Sequence, residues 1–240
     1  MLYDALRLCL DVVQPKRCAG CESAIREGLF CPPCDGSLIP GEEGACPQCG
    51  AQDIELDPHR PQGLCGPCIQ SPPAFARAMG AYAYGGSLAD AIRRWKNRPD
   101  PYLSGAMSQL FVEHGWESSW TDEPSKLIFV PPDPRRLRRR GFHPAGLLAR
   151  ALGRTLGAPI DAQAVRATST YPSSKGQSRI ERRKRLRGIF SVERRRVQDQ
   201  RLLLVDDVMT TGATADAIAR ACLKAKARSV EVIVLARAPR

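Results

Sequence analysis

The sequence predicts an α/β protein, a parallel sheet flanked by helices, preceded by a small cysteine-rich domain. Three observations predict it. From Met79 onward, short apolar runs alternate with stretches whose apolar residues recur at helical spacing. Eight of the ten cysteines fall into four C-x-x-C pairs within the first 68 residues. Finally, "LLLVDDVMTTGAT" (202–214) takes an aliphatic strand into two adjacent carboxylates, a loop of threonines with one glycine, and a helix. Strands that alternate with helices imply parallel pairing covered on both faces. With 240 residues, 43% hydrophobic and 25% charged, the chain can bury one full-size domain and a small one.

The elements follow in order. Leu2, Leu6, Leu10 and Val13 sit at helical spacing, so residues 1–16 are expected to form an N-terminal helix packed on the chain itself. The stretch is short and lacks a basic polar face, which argues against membrane insertion. Asp4, Arg7 and Asp11 interrupt the apolar run a signal peptide needs, and no run of 18 apolar residues follows, so a cytoplasmic location is expected. The cysteine-rich domain is placed at 17–72, ending at the Pro-Pro pair of "QSPPAFARAM". Residues 73–240 form the α/β domain. "MGAYAYGG" reads as a strand, "SLADAIRRWKN" and "YLSGAMSQLFVEHG" as helices, "KLIFVPP" as a buried strand and "PAGLLARALGRTLG" as a helix. "RLLLVDD" is a strand, "TADAIARACLKAKA" a helix and "SVEVIVLARA" the last strand.

The pairs Cys18/Cys21, Cys31/Cys34, Cys46/Cys49 and Cys65/Cys68 each place two thiolates on one side of a tight knuckle. Two knuckles complete a tetrahedral sulfur shell of the kind zinc favours. A disulfide framework would need an oxidising compartment. Neighbouring pairs could share an ion, or the chain could cross-brace. Since thiolates fill both shells, the sites are structural and His59 is not needed as a ligand. Cys9 and Cys222 lie in apolar helical patterns and read as buried thiols.

In a parallel sheet, ligands gather at the carboxyl ends of strands, where Asp206 and Asp207 fall. Thr210, Thr211, Gly212, Ala213 and Thr214 lead into a helix, so amides and hydroxyls there suit a phosphate at the positive end of the helix dipole. Carboxylates beside a phosphate suit the vicinal hydroxyls of a ribose, or a magnesium ion shared with pyrophosphate. A Walker B strand also ends in acidic residues, but the chain has no G-x-x-x-x-G-K-[ST] loop and no G-x-G-x-x-G fingerprint.

This stretch resembles the phosphoribosyl-diphosphate (PRPP) signature of type I phosphoribosyltransferases, whose acidic pair binds the ribose and whose loop holds the 5′-phosphate. Four C-x-x-C knuckles ahead of it, "RRLRRRGFH" midway and "ERRKRLRGIF" before the signature strand resemble the ComF family over nearly the whole chain. That family is a competence-associated group with a double zinc ribbon. The resemblance implies that Asp206 and Asp207 hold the ribose, that Thr210 to Thr214 hold the phosphate, and that magnesium accompanies PRPP. It also implies a role in natural transformation and DNA uptake, beside a competence helicase. The chain departs from the family at His143 and Arg185, where asparagine is usual, and at Ser174, where glutamine is usual.

Charge is divided unevenly. Residues 1–72 hold 5 Lys/Arg and 10 Asp/Glu, net −5, while residues 73–240 hold 31 and 15, net +16. The second part should attract polyanions. Arg135, Arg136, Arg138, Arg139 and Arg140 begin at the carboxyl edge of the sheet, where type I enzymes carry a pyrophosphate-binding loop; a solvated charge run is the plain alternative. Lys96 sits near a family lysine position, or is a surface lysine whose stem packs on Trp95. Arg179, Arg182, Arg183, Lys184, Arg185 and Arg187 belong by resemblance to the hood over PRPP, and equally offer phosphate contacts to single-stranded DNA. Two functions are thus expected: phosphoribosyl transfer, or a non-catalytic PRPP-sensing or single-stranded DNA-handling protein that docks a helicase or other partner. A zinc-ribbon transcription regulator fits less well, because the ribbon segment is acidic.

Overall fold

The structure is a computed structural model and describes residues 16–41, 45–52, 63–115, 124–169, 186 and 188–239. The expected N-terminal helix up to residue 15, Cys9, His59, Ser174 and the basic positions Arg179, Arg182, Arg183, Lys184, Arg185 and Arg187 lie outside the described residues.

Six strands are described: β1 (Ala78–Ala83), β2 (Lys126–Phe129), β3 (Val165–Ala167), β4 (Phe190–Val192), β5 (Arg201–Met209) and β6 (Ser229–Arg237). Four form a sheet in the order β1-β6-β5-β2, with every pairing parallel. β3 and β4 pair antiparallel as a separate ribbon. The near-continuous apolar runs of β5 and β6 follow from burial on both faces. Leu203, Val205, Ile233 and Leu235 point into one core, and Leu202, Leu204, Val232 and Val234 into the other, as the period of two requires.

The helices are α1 (Gly86–Asn97), α2 (Pro101–Gly115), α3 (Pro134–Arg140), α4 (Pro144–Leu156) and α5 (Ala213–Lys224), with single turns at Pro32–Asp35, Gly66–Gln70 and Arg194–Val197. α1, α2 and α4 cover one face of the sheet and α5 the other. Local chemistry sets their ends. α1 stops at Arg98, which precedes a proline. Asp100 then caps α2 by accepting from the amides of Tyr102 (2.8 Å) and Leu103 (3.2 Å). α2 buries Leu103, Ala106, Met107, Leu110 and Phe111, one stripe of a 3.6-residue period.

The cysteine segment straddles the β1 edge of the sheet. Residues 39–41 run antiparallel to β1, with Ala83 N donating to Ile39 O (2.9 Å) and Gly41 N to Ala81 O (3.0 Å), which closes an otherwise open edge. On one side, Cys18, Ala19, Phe30 and Cys34 share the core of α1, α2 and α4, and Ser37 bonds Ser87 at 2.8 Å. On the other, Cys46, Cys49, Cys65 and Cys68 share the core of α5 with Phe75 and Met209.

The long elements lie where the sequence places them, with two differences. β5 continues as a strand past the acidic pair to Met209. The arginine run, placed in a loop by the family resemblance, is helix α3: Asp133 caps it from the amides of Arg135 (2.8 Å) and Arg136 (3.3 Å), Pro134 occupies its first turn, and Gly141 ends it at φ 75°. A helix whose faces are nearly all charged carries no apolar period, so only its caps could betray it.

Candidate functional site

Asp206 and Asp207 lie in the last four residues of β5, and the chain turns through Thr210, Thr211 and Gly212 into α5. Gly212 is the N-cap of that helix at φ 74°, a left-handed conformation that disfavours any side chain. Thr211 Oγ1 accepts from Ala213 N at 3.3 Å, which fixes the turn. Asp216, in the first turn, is fully buried and aimed away from the loop: its carboxylate accepts from Ala74 N (2.7 Å) and pairs with Arg220 (3.1 Å).

A cavity of about 410 Å³ opens at this end of the sheet. Asp206, Asp207, Thr210, Thr211, Gly212, Ala213 and Thr214 all line it. Of the cationic candidates, Lys96, Arg136 and Arg140 line it too, whereas Arg135, Arg138 and Arg139 are exposed and do not. The split follows from helix geometry, since positions 136 and 140 share one face of α3. Lys96 Nζ pairs with Asp207 Oδ1 at 2.9 Å, both side chains largely covered at 23% and 15% exposure. Asp207 Oδ1 also accepts from Val208 N (2.7 Å), and Asp206 Oδ1 from Asp207 N (2.8 Å). Burial pushes the Arg140 guanidinium below its usual range, and Asp207 opposes that push. Arg140 Nε is buried and has no hydrogen-bond partner among the described residues.

Sequence reasoning did not place Tyr84, Phe142 or His143 in this cavity, and all three line it. Phe142 stacks toward Trp95 (5.8 Å) and thereby ties the end of α3 to the helix that carries Lys96. His143 packs against Phe129 (5.3 Å) at the start of α4. Burial pushes its imidazole from 6.5 down to about 4, with Asp207 opposing and Arg140 and Arg150 adding to the shift. It is therefore neutral at pH 7. The unfolded chain takes up a proton near pH 6.5 and the folded chain only near pH 4, so stability is held above 6.5 and lost as pH falls between those values, by about 3 kcal/mol. His143→Asn is expected to remove this component. Chemical unfolding of both proteins at pH 7 and pH 4.5 measures it, and equal acid losses in the two would disprove it.

The cysteines assemble in sequence order: Cys18, Cys21, Cys31 and Cys34 in one tetrad and Cys46, Cys49, Cys65 and Cys68 in the other, each with all sulfurs within 4.8 Å of one another. This selects sequential over cross-braced pairing. The Cys21–Cys31 and Cys49–Cys65 sulfurs are 3.6 Å apart, close to the ~3.8 Å edge of a tetrahedron with metal–sulfur bonds of ~2.3 Å. The amides of Cys31 (3.2 Å) and Cys65 (3.4 Å) point at the sulfurs of Cys18 and Cys46, as thiolates require. Hydrogen bonding to Ser23 pulls the Cys21 thiol down to about 6. Bonding among the second set of sulfurs drives Cys46 far down and Cys68 far up. Both donor sets fit a structural zinc ion. Cys222 is a buried thiol raised to about 12 by desolvation.

A ribbon of two such tetrads joined to a sheet with an acidic-pair loop defines a class, zinc-ribbon proteins with a phosphoribosyltransferase-type domain. Comparison with known proteins agrees: the double zinc ribbon domain model matches residues 9–69 and the phosphoribosyl transferase domain model residues 137–240. The chain belongs to the ComF family. It is 33% identical over 195 residues to the DNA utilization protein YhgH of Escherichia coli, covering 80% of this chain and 83% of that one. It is similar as well to competence protein F of Haemophilus influenzae, at 28% over 223 residues (87% and 96% covered), and to competence protein ComFC of Bacillus subtilis, at 27% over 201 residues (80% and 77% covered). Among the described residues no helix is long and apolar enough to cross a membrane.

Proposed function

We propose that this chain binds PRPP with magnesium in the cavity at the end of β5 and transfers its phosphoribosyl group in a process that serves DNA uptake or DNA utilization. The carrying observation is one of charge placement. Two carboxylates, a helix N-terminus with a glycine turn, and the three cations Lys96, Arg136 and Arg140 surround a single space, with Arg140 Nε buried and unpaired there. Asp206 and Asp207 accept from the ribose hydroxyls. The loop from Thr210 to Thr214 donates to the 5′-phosphate. Lys96, Arg136 and Arg140 neutralise the pyrophosphate as the bond from the anomeric carbon to its oxygen breaks, the electron pair leaving with pyrophosphate while an acceptor nucleophile attacks that carbon. Magnesium, when bound, spreads the charge of the diphosphate. The names of the relatives supply the link to DNA.

Calorimetric titration of the zinc-loaded protein with magnesium and PRPP, ribose 5-phosphate or pyrophosphate tests this. One PRPP per chain, held more tightly than either fragment, is expected; heats no larger than dilution with PRPP would overturn the reading.

A second reading has its own observation. Arg135, Arg138 and Arg139 face outward, away from the cavity, and so suit the phosphates of a single strand. If the chain handles single-stranded DNA without turnover, their combined replacement by alanine lowers DNA affinity and its salt dependence while PRPP affinity stays unchanged.

A further inference from the structure

Arg237 ends β6, in register with Met209 of β5, and is fully buried. Its Nε donates to the carbonyl oxygen of Cys49 at 2.9 Å. Its Nη1 donates to the carbonyls of Met209 (2.9 Å), Thr210 and Ala238 (2.9 Å). Cys49 belongs to the second tetrad, and Met209 and Thr210 are where the phosphate loop leaves the sheet. One guanidinium thus bridges a metal knuckle and the ligand loop. Because its donors lie in a rigid plane, the bridge fixes the carbonyl directions of both segments relative to each other.

Apolar packing runs along the same path. Phe75 shares one buried apolar cluster with the second tetrad and with Met209 and Ala213, which flank the loop, and a Cβ on Gly212 would stand 3.8 Å from its ring. The space Arg237 occupies is itself specified by sequence: a Cβ on Gly80 would lie 2.6 Å from the Arg237 Cβ. Charge supports the arrangement. A guanidinium buried this deeply needs negative charge nearby, and a zinc ion with four thiolates carries a net charge of about −2. Sequence reading passed over Arg237, although one arginine in the run "VIVLARA" at the carboxyl end of a strand is the kind of signal that marks such a position.

We propose that Arg237 is a positioning residue through which the second metal site holds the phosphate loop in its ligand-binding form. The idea rests on the PRPP reading for its ligand, but the link between metal knuckle and loop stands on the contacts alone.

Arg237→Gln and Arg237→Lys test it, each prepared with zinc and assayed for metal content, PRPP affinity and amide hydrogen exchange. The glutamine variant is expected to keep two zinc ions yet bind PRPP at least about tenfold more weakly, having lost charge-assisted bonds to the loop. Lysine, which keeps the charge and part of the bonding, restores a portion of that affinity. Amides of residues 209–214 exchange faster in the glutamine variant while those of Leu202 to Val205 stay protected, a pattern that general destabilisation does not give. Should the glutamine variant fail to fold, the lysine variant decides by the same readouts. A variant that holds both zinc ions, binds PRPP like the parent and keeps its loop protected overturns the proposal. If the parent itself does not bind PRPP, the functional reading falls, and loop exchange alone judges the role of Arg237.

Discussion

Cys65→Ser is expected to leave a chain that does not fold cooperatively at 37 °C, whereas Cys21→Ser is expected to leave one that does. Both substitutions break a sulfur tetrad, and a structural zinc site supplies about 10–16 kcal/mol of apparent binding energy to the fold that builds it. The consequences differ because the two tetrads are built into the molecule differently. All four cysteines of the second are buried, and they share a continuous core with Phe75, Val232, Val234, Met209 and Ile218 on one face of the sheet. In the first, Cys18 and Cys34 are buried in the other core, but Cys21 is exposed and Cys31 only half-buried, and Arg94 of α1 holds the knuckle by donating to the carbonyls of Ala19 and Gly20 (2.9 Å for the latter). Loss of the second ion therefore spreads through a core whose whole net stability is about 5–15 kcal/mol. Loss of the first frays the exposed side of its knuckle, at Cys21 and Cys31, and lowers the unfolding midpoint. Metal analysis with thermal unfolding by circular dichroism separates the cases: one zinc ion and a cooperative transition for Cys21→Ser, no cooperative transition for Cys65→Ser. Equal losses in both proteins would show that the tetrads carry the fold equally.

What the sequence made legible, and what it hid, has a physical pattern. The four strands of the sheet and the longer helices announce themselves, since each holds enough apolar residues to display a period. The acidic pair and the Thr/Gly loop were legible because their order along the chain is their order in space. Cysteine spacing exposed the tetrads but not their pairing, since adjacent and crossed schemes use the same knuckles. β3 and β4 hold three residues each, too few to show alternation. α3 hid behind its own charges, and with it the division of its arginines between cavity and solvent. The placement of the two tetrads on opposite faces of one sheet has no local signal at all: it depends on residues 39–41 meeting the edge of β1. Arg237 belongs to the same category, because only the register of β6 against β5 brings it beneath the loop.

Asp207→Asn is expected to lower the affinity for PRPP relative to that for pyrophosphate. In the proposed arrangement the carboxylate accepts from a ribose hydroxyl, and charged acceptors contribute about 1.5–3 kcal/mol per hydrogen bond. The double variant Asp206→Asn/Asp207→Asn should thus weaken PRPP about 100-fold or more relative to pyrophosphate, and the single variant about tenfold. Pyrophosphate has no ribose to lose. Its partners include Lys96, which without ligand is engaged by Asp207 at 2.9 Å. Removing that carboxylate frees the ammonium and takes one negative charge from the cavity. At an effective dielectric of about 20, one unit charge some 8 Å away is worth about 2 kcal/mol, so pyrophosphate should bind about 30-fold more tightly, a gain that the diphosphate of PRPP shares and that its lost ribose contact offsets. A protein that has merely lost its fold weakens both ligands together, which makes the change in their ratio the informative feature. Calorimetric titrations of both ligands into parent and variant, in the same magnesium buffer, decide the matter. Parallel losses would mean that Asp207 serves the scaffold, and equal gains for both ligands would remove its carboxylate from the ribose contact.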